Sequence, residues 1–203
     1  MLKCVLIATL AFAVPCAAAP ADDPATSPRS LPRVRPNDRR SAAFLLDGIA
    51  RSPTLRRIVS QLEESNVIVY IEMQPAMDKQ LAGRLLWVTA VQNFRYVRIS
   101  LNPETNADVA ISTLGHELQH ALEVAHAPTI VNESSFEAYY RANGISTRAH
   151  ASGWDTQAAR DAGDLVRREI EGVPARLVNA GTPFDPGSWP VVYRRARDRF
   201  AQR

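Results

Sequence analysis

Two histidines four residues apart, with a glutamate directly after the first, stand in the run His116-Glu117-Leu118-Gln119-His120. Positions four apart share a helical face, so both imidazoles can grip one Zn2+ ion. Glu117 then sits beside the ion rather than on it, placed to take a proton from an attacking water and to hand it to a leaving amine. The chemistry this pattern points to is zinc-dependent hydrolysis of a peptide bond, with His116 and His120 as ligands and Glu117 as general base.

Catalytic zinc normally has three protein ligands and one open position, so a further donor must come from elsewhere. Glu123, seven residues after His116, shares its helical face and is placed either to reach the ion or to orient His120 from behind. Asp155 precedes Thr156-Gln157-Ala158-Ala159, the start of a helix, where a plain N-cap is its other reading. Tyr139, Tyr140, Arg148 and His150 lie between the motif and Asp155, and His150 and Tyr140 lead as stabilisers of an oxyanion. Glu133 and Glu137 are further carboxylates on a segment that equally suits a solvated helix face.

The motif needs a helix, and the pattern supplies one. Asn106 or Thr105 can cap a helix that runs to about residue 125 before Pro128 stops it. Leu114, Leu118, Ala121, Leu122 and Ala125 form its apolar stripe, and His116 and His120 point roughly the opposite way. Upstream, helical patterning begins near Ser41 and restarts at Ser52-Pro53, a natural N-cap followed by a residue suited to the first helical position. Residues 66–73 read as a strand buried on both faces, and 84–91 and 94–101 as a hairpin joined by Gln92-Asn93. Two more helices are expected over 132–143 and 156–171. Helices, then strands, then helices predict an α+β fold with a small antiparallel sheet.

On the motif and its setting, the chain resembles the zincin metallopeptidases, from about residue 66 to about residue 171. It also resembles small secreted bacterial proteins that carry the string found here at residues 116–123, His-Glu-Leu-Gln-His-Ala-Leu-Glu. The resemblance implies a zincin-like domain in which a strand edge above the metal holds an extended peptide by main-chain hydrogen bonds, and that edge would come from residues 84–101. In gluzincin-like members the third ligand is a carboxylate on a helix downstream of the motif, which implies Asp155 here; the related bacterial sequences have Phe-Glu-Thr where this chain has Trp154-Asp155-Thr156. His126 has the metzincin spacing, six residues after His120, but Glu123 stands where that group has its turn glycine, and Met1, Met73 and Met77 all precede the motif. Asp155 is therefore the provisional third ligand, with His126 and Glu123 as alternatives.

The chain has 203 residues, 46% hydrophobic and 22% charged, which suits one globular domain with a real core. A formal charge of +3, carried by scattered arginines with only Lys3 and Lys79 as lysines, predicts a solvated surface and no nucleic-acid partner. Lys3, the apolar run 5–14 and the small residues Ala17-Ala18-Ala19-Pro20-Ala21 have the form of a secretory signal over 1–21. Its apolar run is far shorter than the ~20 residues that cross a bilayer, so an exported chain without a membrane span, periplasmic or extracellular, is expected. Cys4 and Cys16 both lie in that segment, so the mature chain would have neither a disulfide nor a cysteine nucleophile. Residues 22–40, rich in proline, read as a disordered leader and 41–203 as the catalytic domain. The partner expected is a peptide or protein substrate; the other readings are an amidase acting on cell-wall peptides and a non-catalytic zinc-binding module.

Overall fold

Ser52 and Pro53 divide the first helical stretch as their types dictate. Helix α1 spans Arg39–Arg51 and α2 spans Pro53–Glu63, with Ser52 as N-cap accepting from the Leu55 amide and proline inside the first turn. In this computed structural model the described residues are 32–146 and 154–172. Ahead of α1 lies a short strand β1, Val34–Pro36. After α2 come β2, Val67–Met73; β3, Gly83–Val91; and β4, Phe94–Leu101. The motif helix α3 covers Ala107–His126, capped by Asn106, and α4 covers Glu133–Asn143, capped by Asn132. A two-stranded ribbon, β5 at Ile145–Ser146 and β6 at Trp154–Asp155, leads into α5, Gln157–Glu171. Helices and a small sheet make this an α+β fold.

The main sheet has the order β1-β2-β4-β3 and corrects the expected antiparallel arrangement: β1 pairs with β2 and β2 with β4 in parallel, and only β3 against β4 is antiparallel. The physical reason is the connections. Gln92, with a φ of 54°, makes the tight turn that forces β3 and β4 into a hairpin. Between β1 and β2 the chain makes two helices, and such a crossover returns a strand in the same direction. β2 then pairs with β4, leaving β3 at the edge.

Residues 34–40, expected to belong to a disordered leader, are structured instead. Val34 is fully buried, and the Glu63 carboxylate accepts from the Arg33 and Val34 amides at 2.9 and 3.1 Å. Pro36 is tolerated because β1 is an edge strand, where a missing N–H breaks no ladder. Asp38 then caps α1 and also accepts from the Met73 amide, so residues 34–40 are tied to both neighbours.

Helix α3 is the centre of the core, in contact with α1, α2, α5 and strands β2, β3 and β4. Leu114, Leu118 and Ala121 are fully buried, as the stripe requires, against Val97, Ile99 and Leu101 from the inward residues of β4 and Val67, Val69 and Ile71 from β2. Burying side chains of this kind stabilises by roughly 1.5–3 kcal/mol each. The C-terminal end of α3 is held by Arg95 from β4. Its guanidinium donates to the carbonyls of Val124, Ala125 and Ala127, at the turn where α3 runs out of its own amide donors. The position of the motif is thus fixed from both ends of its helix. No helix among the described residues is long and apolar enough to cross a membrane. The expected signal segment, residues 1–21, lies outside the described residues.

Candidate metal centre

Successive turns of α3 carry His116 and His120, whose ring centroids are 4.9 Å apart. Asp155 reaches them from β6. Its Oδ1 lies 3.2 Å from His116 Nε2 and 3.5 Å from His120 Nε2, and together these three residues could hold a metal ion. Two nitrogens and one carboxylate oxygen are donors that zinc accepts, and three protein ligands leave a position open. Asp155 Oδ1 is buried and receives no hydrogen bond of acceptable geometry from the described residues. A buried anionic oxygen between two imidazoles is costly to leave so, which a cation at that point would remedy. The donor set therefore fits a metal ion.

Local structure explains how an aspartate, one methylene shorter than glutamate, comes close enough. Thr156, not Asp155, is the N-cap of α5: its hydroxyl accepts from the Ala159 amide at 3.1 Å, leaving the Asp155 carboxylate free of capping. The ribbon pairs Ile145 with Asp155, and a Cβ at Gly144 would sit only 2.5 Å from the Tyr140 carbonyl and 3.1 Å from that of Asp155. Where α5 crosses α3, a Cβ at Gly163 would lie 3.2 Å from His116 Cβ, and one at Gly115 would lie 2.7 Å from Val166 Cγ2. Glycine at these positions lets the two helices approach closely.

Around the three donors is a set of orienting contacts. His120 Nδ1 lies 2.9 Å from Glu123 Oε2, and Thr156 Oγ1 donates to Glu123 Oε1 at 2.5 Å. Neutral His120, as a metal ion would require it, would keep its Nδ1 proton on Glu123 and present the Nε2 lone pair to the Asp155 side. Arg160 Nε donates to the second oxygen of Asp155, Oδ2, at 2.7 Å. The Tyr140 ring meets His120 edge-on with centroids 5.2 Å apart, and its hydroxyl donates to the His120 carbonyl at 3.1 Å.

The charges follow from these neighbours. Burial drives the Glu117 pKa upward, against the opposing charges of His120 and His116 and a backbone hydrogen bond from Leu85. Burial acts to lower that of His120, but the carboxylates of Asp155 and Glu123 outweigh it and push the imidazole up to about 9. Burial would raise the Asp155 carboxyl, yet His116, His120 and Arg160 hold it well below the usual carboxylate range. Burial and the nearby Glu123 charge raise Tyr140, so its phenol stays protonated.

Beside the donors a cleft of about 350 Å³ opens between the start of edge strand β3 and α5, lined by residues including Gly83, His116, Glu117, Arg160 and Arg167. Of the other residues singled out from sequence, Glu123 is engaged with His120 and Thr156 rather than joining the donor group. His126 is exposed at the end of α3, and Glu133 and Glu137 are exposed on α4. The hydroxyl of Tyr140, an expected oxyanion donor, gives its proton to the His120 carbonyl in this structure. His150 and Arg148 fall outside the described residues. Sequence reading missed Arg160, Thr156 and Gly163. For Thr156 the signal was present, since threonine caps helices well; for the other two, only proximity to Asp155 and His116 in space distinguishes them.

Comparison with family models, curated proteins and solved structures finds no match to this chain.

Proposed function

We propose that this protein is a zinc-dependent peptidase in which His116, His120 and Asp155 hold the ion and Glu117 is the general base. The observation that carries this reading is the convergence of two Nε2 atoms and one unpartnered carboxylate oxygen next to a buried glutamate of raised pKa. A zinc ion at such a centre supplies Lewis acidity, lowering the pKa of water to about 7 and polarising a carbonyl. Glu117 takes the proton of the attacking water and delivers it to the departing amine. Its burial suits that work, because a carboxylate with a raised pKa is a better base near neutral pH. Three donors with a fourth position open favour catalysis over a closed structural site, and the carboxylate of Glu123 is committed to His120 and Thr156.

Edge strand β3 begins at Gly83, on the lip of the cleft, and its outer backbone groups suit an extended peptide laid alongside. Peptide or protein chains are therefore the substrate class proposed, and the N-terminal sequence motivates placing the reaction outside the cytoplasm. The experiment is Glu117→Gln beside the wild type, with zinc measured by elemental analysis and cleavage read over a broad peptide library. The variant should hold one zinc and lose activity by ~10²–10⁴-fold, the usual worth of a general base. Equal cleavage by both proteins would reject the mechanism.

A further inference from the structure

We infer that Arg160 is a positioning residue that restricts Asp155 to ligation through one oxygen, and so keeps the open coordination position open. The inference rests on the metal-centre reading above. It starts from the unequal surroundings of the two Asp155 oxygens. Oδ2 accepts from Arg160 Nε at 2.7 Å, whereas Oδ1 is buried, without a hydrogen bond from the described residues, 3.2 and 3.5 Å from the two imidazole Nε2 atoms. One oxygen is already taken and the other is aimed at the centre.

The difference matters because the terminal torsion of an aspartate is soft and roughly two-fold, so nothing in the side chain itself sets which oxygen faces the ion or how evenly both do. The backbone of Asp155 is held by the β5–β6 ribbon, but its carboxylate rotates unless a partner fixes it. Thr156 cannot be that partner, since its hydroxyl serves Glu123 and the Ala159 amide. Arg160, in the first turns of α5, is the partner observed. Its guanidinium is planar and permanently charged, so the hold is directional and persists across the pH range in which a peptidase works. A carboxylate with both oxygens free can chelate. Two histidines and a chelating aspartate would fill four positions, and water could enter only by expanding the coordination.

Cobalt(II) is the probe, because the intensity of its visible bands reports coordination number and does not depend on turnover. Metal-free wild type, Arg160→Met, Arg160→Lys and Arg167→Met are titrated with Co2+, with far-UV circular dichroism as a check of fold. Arg167 lines the same cleft but pairs with Asp164, so its variant changes cleft charge without touching Asp155. Wild type and Arg167→Met should show the intense bands of four-coordinate cobalt. Arg160→Met should show weakened, shifted bands of higher coordination, and Arg160→Lys, which keeps a charged donor, should retain the wild-type bands. An unchanged spectrum in Arg160→Met overturns the inference, as does an equal loss in Arg167→Met or in Arg160→Lys. Failure of the wild type to bind Co2+ at all is a different result: it removes the metal centre itself, and this inference with it.

Discussion

Thr156 donates its hydroxyl proton to Glu123 at 2.5 Å, joining the cap of α5 to the carboxylate that holds His120. One side chain thus does two things: it starts the helix that follows Asp155, and it steadies His120 on α3 through Glu123. Orienting contacts of this kind typically matter 10–100-fold in metal affinity. Thr156→Val removes both functions at nearly constant volume. It should lower stability by about 1 kcal/mol through the lost cap and weaken zinc binding within that 10–100-fold range. Thr156→Ser should keep both properties. Urea denaturation in chelator reads the first and competitive zinc titration the second; wild-type zinc affinity in Thr156→Val would show that the Glu123 link is idle.

Gly163 faces His116 so closely that an added Cβ would lie 3.2 Å from His116 Cβ and 3.4 Å from the Ser112 carbonyl. Alanine is favoured over glycine inside a helix by roughly 0.8–1.0 kcal/mol, and crowding against α3 works the other way. Gly163→Ala should therefore change overall stability by no more than about 1 kcal/mol. Zinc affinity should fall all the same, because the helices separate by a few tenths of an ångström at the point where the donors meet. The two quantities part company only if the glycine serves the site, and equal zinc affinity in wild type and variant would refute that.

Local chemistry made most elements legible. Ser52, Asn106, Asn132 and Thr156 have side chains that satisfy orphan amides at helix starts, and α2, α3, α4 and α5 each begin beside one of them. The apolar stripe of α3 was readable for the same reason, as was the hairpin at Gln92-Asn93. Strand order was not. Whether β2 pairs with β3 or β4 depends on where nine intervening residues carry the chain, and both partners offer similar β-branched surfaces. β1 was not legible because it is three residues long and ends on a proline, too short to carry a periodicity of its own. In the site, the motif pair was legible because its geometry is built into one helix. The Asp155–Arg160 contact is also local, yet charged residues at a helix start are usually solvated, and only the burial of Asp155 Oδ1 reveals a different role.

Asp155, implied by the resemblance, and His126, placed by its spacing from His120, are rival donors, and they differ in what their removal should do. Asp155→Ala should lose zinc, while His126→Ala, altering an exposed residue at the end of α3, should keep full occupancy. Because Thr156 is the cap, Asp155→Ala should not cost the cap energy of about 1 kcal/mol. Asp155→Glu is the sharper variant. With Oδ1 already 3.2 Å from His116 Nε2, an extra methylene overshoots the centre, so glutamate should bind zinc more weakly than aspartate here. Full zinc occupancy in Asp155→Ala would turn attention to His126.

The metal-free protein should carry a pH signature from His120. Its pKa in the fold, about 9, lies above the ordinary value of 6.5, because the Asp155 and Glu123 carboxylates outweigh the effect of burial. A raised pKa means that the folded state binds the proton more tightly than the unfolded chain does. The resulting stabilisation is fully present below pH 6.5 and is lost as pH rises through about 9. Zinc binding has the opposite dependence, since the ion needs the neutral imidazole and must displace that proton, so affinity should climb over the same interval. Glu123→Gln isolates the effect by removing one of the two carboxylates that raise the pKa. In chelator, the stability difference between wild type and Glu123→Gln should be largest near pH 6 and should shrink toward about pH 10, as followed by urea denaturation across that range. Parallel curves for the two proteins would mean that Glu123 does not hold the His120 proton in the fold.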